Sequence, residues 1–287
     1  MNTTATTVDE RRSLPLDDDY AADRQLPVEF ATSADGTRIA YERSGSGRPV
    51  VIVGGGLNDR AMFRPMAGIM STRFTVYNYD RRGRGDSDLG DPDAWTLDTE
   101  VEDLRAVIEA VGEPCDVFGN CTGGMVAIEG AAAGLDIRRM ALYEPPYRSP
   151  EATTEQLVAI RRLIDEGRRG EIVEMFGRDI VGFISPDTME YFKQHPAWDA
   201  FESMAYSAYY DAIISRDHTA IPAEKLPAVQ VPTVIMRGDI GDGGIHDACV
   251  QLADGIPDAH LLTMKGCDHL LDQAAWSRYV MAFLDED

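Results

Sequence analysis

The chain has 287 residues, 44% of them hydrophobic and 26% charged, with a formal charge of −22 and a pI near 4.5. Length and apolar content suit a packed soluble core, built as one large domain or as one domain with an inserted cap. Such acidity argues against binding to phosphate backbones or anionic membrane surfaces, and fits a soluble cytoplasmic protein that acts on a small molecule.

Residues 1–27 read as a polar N-terminal extension. "MNTTATTVDERRSLPLDDDY" lacks the apolar core of a signal peptide, carries the acidic run Asp17–Asp19 with Asp23 nearby, and is expected to be flexible. Phe30–Ser33 and Arg38–Tyr41 flank the turn "ADGT", which predicts a hairpin and hence antiparallel strands at one sheet edge. "PVVIVGGG" (Pro49–Gly56) is a short buried strand running into glycines, and "FTVYNYD" (Phe74–Asp80) is another, followed by the loop "RRGRGDSD". Val101, Leu104, Val107, Ile108 and Val111 recur at helical spacing and predict a helix over Thr99–Val111. A strand at Cys115–Phe118, a helix from Thr122 and a strand over Arg138–Pro146 follow.

From Tyr147 to Pro227 strand-like runs vanish and helical runs rich in Met, Tyr, Phe and Trp take over, among them Met175, Phe176, Phe183, Phe192, Phe201 and Tyr210. The earlier rhythm returns with a strand over Val231–Asp239, a helix near His246–Ala253, a strand at Ala259–Met264 and a helix over Gln273–Phe283. Alternating apolar strands and amphipathic helices predict an α/β class protein, with a mostly parallel sheet covered on both faces. The core segments are 28–146 and 228–287, and 147–227 forms an inserted helical cap. No apolar run approaches the length needed to cross a bilayer.

The four cysteines, Cys115, Cys121, Cys249 and Cys267, show no C-x-x-C spacing. They read as free thiols in a reducing compartment, with no zinc site and no redox pair. One of them stands apart. In "DVFGNCTGGMVAIEG" (Asp116–Gly130) an apolar run ends in Gly-Asn-Cys-Thr-Gly-Gly and a helix follows. A nucleophile on such a turn needs small neighbours, and Gly119 and Gly123 leave room where strand and helix close together. Thr122 opens the helix, whose free N–H groups face Cys121 and favour its thiolate form.

With Gly54–Gly56 after an early strand, "YDRRGRGDSD" after the next, and "VPTVIMRGD" and "GCDHLLD" late and in order, this frame resembles the α/β-hydrolase superfamily. The resemblance runs from about Glu29 to the C-terminus, with cysteine where the elbow serine is usual. It implies the α/β-hydrolase fold, an oxyanion hole from the backbone N–H groups of Gly56 and Thr122, His269 as the base, and neither cofactor nor metal. The other histidines are placed less well: His195 and His218 lie in the insertion, His246 opens a helix and His260 begins a strand.

The acid stays open. Its usual superfamily position, three residues past the glycine ending "VPTVIMRG", is Gly241, with Asp239 and Asp242 nearby. A second superfamily solution places it after the preceding core strand, at Glu144 in "LYEPP". The order of preference is Asp239, Glu144, Asp242. The N-terminal carboxylates, folded over the pocket, are a further source, and a Cys–His pair needs an acid less than a Ser–His pair does.

A thiolate is a strong nucleophile and also a good leaving group, so it suits activated acyl groups: thioesters, enol or aryl esters, lactones. Its acyl-enzyme passes to water or to another acceptor. An aromatic cap makes an apolar pocket, which suggests a polyketide-like small molecule, free or as a carrier-bound thioester. The rival reading is a lyase or cyclase of the same fold, performing elimination or Dieckmann-type ring closure in specialised metabolism with His269 as general base and Cys121 a bystander. A non-catalytic binder is a third. Monomer and homodimer both fit.

Overall fold

The computed structural model describes residues 26–182, 186–241, 243–269 and 273–285. Residues 1–25, with Asp17–Asp19 and Asp23, lie outside these, as do Phe183 and Asp242.

Short runs of β-branched and aromatic residues form the strands: β1 (Val28–Thr32), β2 (Arg38–Gly45), β3 (Pro49–Val53), β4 (Thr75–Tyr79), β5 (Cys115–Asn120), β6 (Ile137–Tyr143), β7 (Thr233–Gly238) and β8 (Ala259–Met264). They make one eight-stranded sheet in the order β1-β2-β4-β3-β5-β6-β7-β8. The pairings of β1 with β2 and of β2 with β4 are antiparallel, and the rest are parallel. The helices of the core are α1 (Arg60–Met70), α2 (Leu97–Val111) and α3 (Thr122–Ala132). Then come α4 (Thr154–Asp165), α5 (Arg169–Met175), α6 (Pro186–Gln194), α7 (Trp198–Met204) and α8 (Ala208–Asp217), and after β7 α9 (Gly243–Gly255) and α10 (Gln273–Leu284).

All five residues of β3 are buried, because both sheet faces are covered. Val51 and Val53 face the core shared with α2, α3 and α9. Val50 and Ile52 face the core shared with α1, α10 and much of the inserted region. This is the α/β arrangement the strand–helix rhythm predicts. Helix α1 has no counterpart in that reading. It carries Pro65 in its interior, which masks the helical signal, yet it buries Met62, Phe63, Met66 and Met70 and is capped by Asp59, whose side chain accepts the Met62 N–H at 3.1 Å.

Helices α4–α8 lie between β6 and β7 as the inserted cap. Its two ends are tied: the Arg148 N–H donates to the Thr219 carbonyl at 2.7 Å and the Ala152 N–H to Ser215 at 3.1 Å. Much of the aromatic content of the cap packs on itself or on the core. Phe192 and Phe201 have ring centroids 4.8 Å apart, and Tyr210 stacks on Trp95 at 5.1 Å. Among the described residues, no helix is long and apolar enough to cross a membrane, and no group of three or more His, Cys, Asp and Glu side chains is placed to hold a metal ion.

Candidate active site

Cys121, Glu144, Asp239 and His269 follow β5, β6, β7 and β8, and Gly56 lies just past β3. All therefore stand at the carboxyl edge of the parallel strands, where ligands bind in open α/β sheets.

The β5–α3 turn is built on missing side chains. Cys121 has φ 51° and ψ −127°, a conformation that costs free energy for a residue with a Cβ. The turn is held there by crowding. A Cβ on Gly123 would run into the carbonyl oxygens of Val53 and Gly54, and one on Gly55 would lie 2.9 Å from the Cβ of Cys121. Strand β3, the Gly54–Gly56 turn and the elbow thus pack backbone to backbone.

The opposite side is built on side-chain hydrogen bonds. Glu144, buried and also at positive φ (45°), places Oε2 2.7 Å from Nδ1 of His269 and accepts the Gly238 N–H on Oε1 at 2.7 Å. Its own N–H donates to the Met236 carbonyl at 3.0 Å, which ties the end of β6 to β7. Burial pushes the Glu144 carboxyl up, but the hydrogen bond and charge of His269, the Gly238 N–H and the charge of His246 outweigh it and hold the group below the usual carboxylate range. His269 also hydrogen-bonds Cys121. Burial works to lower its pKa, but the hydrogen bonds to Cys121 and Glu144 and the charges of both raise it to about 10.

The structure therefore brings Cys121, His269 and Glu144 together, with Glu144 rather than Asp239 at the ring. Asp239 is engaged in the β8–His269 loop. Its Oδ1 accepts the Gly266 N–H at 2.6 Å and its N–H donates to the Met264 carbonyl at 3.1 Å, so it braces the turn that leads to the histidine. The Tyr143 hydroxyl donates to the Asp268 carbonyl and steadies the same loop. Gly241, at φ 142°, has no side chain to offer, and the space beside it holds His246. That ring lies 3.4 Å from Glu144 Oε1, so a second histidine flanks the carboxylate.

Sequence reasoning passed over one cluster entirely. Arg81, Arg84, Glu100 and Asp211 are each 0–1% exposed. Arg81 donates to Thr122 Oγ1 at 2.8 Å and to the Gly54 carbonyl at 3.3 Å, directly behind the elbow. Its only sequence signal is that Arg81 and Arg84 belong to "YDRRGRGDSD". Asp211, in the aromatic-rich cap, has no signal at all. Of the other thiols, burial, reinforced by nearby carboxylates, pushes Cys115 and Cys249 up to about 12, which disfavours their thiolates.

Residues 50–280 match the alpha/beta hydrolase family. An alpha/beta hydrolase from Sphaerobacter thermophilus DSM 20745 is 37% identical and superposes with a TM-score of 0.82, over 89% of this chain and 100% of that one. The enol-lactonase from Burkholderia xenovorans LB400 shares the fold with a TM-score of 0.71 at 22% identity, over 90% of this chain and 100% of its own. Polyketide synthase ThaQ of Burkholderia thailandensis is 26% identical over 283 residues, 91% of this chain. The chain spans only 13% of ThaQ, and its match to the uncharacterized hydrolase YraK of Bacillus subtilis, 30% identical over 96 residues, spans 35% of that protein. Fold, strand order and the match over residues 50–280 agree: the chain belongs to the alpha/beta hydrolase family.

Proposed function

We propose that the protein cleaves or transfers an activated acyl group, with Cys121 as nucleophile, His269 as proton carrier and Glu144 as the group that orients His269. The observation that carries this reading is the hydrogen-bonded line from Glu144 through His269 to Cys121. The raised His269 supports an imidazolium beside the sulfur. The sulfur attacks the carbonyl carbon, and the carbonyl oxygen becomes an anion facing the N–H groups of Gly56 and Thr122. Collapse breaks the bond to the leaving group, to which His269 gives its proton. The resulting thioester on Cys121 then passes to water or another acceptor, while His269 takes up the proton released.

Because the thiolate itself leaves readily, the substrate must carry a better leaving group: a thioester, an enol or aryl ester, or a lactone. Relatives named as an enol-lactonase and a polyketide synthase support this class and an apolar, polyketide-like acyl chain, free or carrier-bound. Phe176 supports it too, since a Cβ on Gly56 would come within 3.4 Å of its ring. The lyase or cyclase reading needs His269 neutral, and the hydrogen bonds and charges of Cys121 and Glu144 push the ring the other way, toward its protonated form. The test uses p-nitrophenyl acetate and a phenyl thioester. Mass spectrometry should find one acyl group on Cys121, absent in Cys121→Ala. Turnover without acylation of Cys121 would reject the reading.

A further inference from the structure

We propose that Arg81 and Asp211 are positioning residues for the oxyanion hole, so that acyl transfer at Cys121 requires cap helix α8 to be seated. This rests on the reading of Cys121 as nucleophile.

Two separate chain segments must supply the N–H groups that meet the developing oxyanion: the Gly54–Gly56 turn after β3 and Thr122 after β5. One guanidinium touches both. Arg81 Nη1 donates to Gly54 O at 3.3 Å and to Thr122 Oγ1 at 2.8 Å, while Nε and Nη2 are clamped by the Glu100 carboxylate of α2 at 2.8 and 2.9 Å. A planar group held at both ends sets the spacing of whatever it bridges.

Asp211 reaches the same two segments from the cap. Its Oδ1 accepts the Thr122 hydroxyl at 3.3 Å and lies 3.5 Å from Arg81 Nη1. Its Oδ2 accepts from Arg84 Nη2 at 2.7 Å and would stand 3.3 Å from a Cβ on Gly56. A carboxylate this close to an oxyanion hole would oppose catalysis if uncompensated. Here two arginines balance two carboxylates, Glu100 and Asp211, in one buried cluster. Asp211 is the one member that comes from the cap. Lifting α8 would strip the cluster of a negative charge and release the Thr122 hydroxyl, and with it the residue whose N–H is needed.

The prediction separates two reactions of the same sulfur. With iodoacetamide, sulfur displaces iodide and no oxyanion forms. With p-nitrophenyl acetate, sulfur bonds to the carbonyl carbon, the oxygen takes the charge, and p-nitrophenolate departs with the electron pair of the broken C–O bond. In Asp211→Asn and in Thr122→Val the alkylation rate should stay within about twofold of the wild type, while the acylation burst slows about tenfold or more. Asp211→Glu should restore part of the burst. The double variant should slow acylation no more than the stronger single one, because both break one linkage. If Asp211→Asn does not fold, Thr122→Val decides by the same ratio. Alkylation and acylation falling together, or acylation unchanged, would overturn the inference while leaving Cys121 as the nucleophile. A wild-type Cys121 that reacts with neither reagent would overturn both readings.

Discussion

The two halves of the site are held by different forces. On the Cys121 side, the residue sits at φ 51° between crowded backbones, and the fit depends on glycines at 55 and 123. On the Glu144 side, Glu144 and His269 are held by hydrogen bonds, at 2.7 Å between the pair and 2.7 Å from the strand-end Gly238 N–H. The first half is a steric lock, which works or fails outright. The second is a set of polar contacts that can be weakened one at a time.

That contrast is broken most sharply at the sulfur. Cys121→Ala should lower turnover by about 10³-fold or more with the thermal midpoint little changed, since alanine keeps the Cβ that the turn already accommodates. Activity near wild type would remove the nucleophile from the scheme. Glu144→Gln should cost about 10²-fold in turnover, less than the acid of a serine triad, because a thiol ionises without much help. The same change should bring the His269 titration down from about 10, as followed by NMR of the ring. An unmoved titration would deny Glu144 its role.

The raised His269 also predicts a pH effect on stability. Its contribution is fully present below the ordinary histidine value of 6.5 and is lost as pH rises through about 10, so the unfolding midpoint should fall across that window and flatten in Glu144→Gln. Glu144 works in the opposite direction. Held below its ordinary 4.5, it adds stability above that value and loses it in acid.

Gly123→Ala tests the steric lock. A methyl group facing the Val53 and Gly54 carbonyls should destabilise the fold by about 3 kcal/mol, read by chemical denaturation. A tolerated alanine would mean that the elbow can open. Asp239→Asn is the mildest change. The amide oxygen still accepts the Gly266 N–H, so turnover should stay within about threefold, whereas a large loss would restore Asp239 as the acid.

These different forces explain what could be read from the sequence. Steric demands are local and leave a mark in residue order, so Gly119, Gly123 and the strand–turn–helix pattern mark the position of Cys121 in the sequence. His269 was legible for a similar reason, since it follows the last strand by a short loop. The acid was not. Whether Asp239 or Glu144 meets the ring depends on the reach of a side chain across neighbouring strands, and Glu144 gains it through a positive φ just before Pro145. Nothing in "GDIGDGG" says that Asp239 will turn toward Gly266 instead. Helix α1 was hidden by Pro65, and the partnership of Arg81 with Asp211 joins residues 130 positions apart.

The buried quartet of Arg81, Arg84, Glu100 and Asp211 has a thermal consequence. Removing charges from water costs less as temperature rises, whereas the apolar contacts around α8 gain little. Warming should therefore tighten the ionic seat of α8 relative to its apolar packing, until global unfolding intervenes. Acylation of Cys121 would then climb more steeply with temperature than alkylation of the same sulfur, a difference in slope that Asp211→Asn should erase.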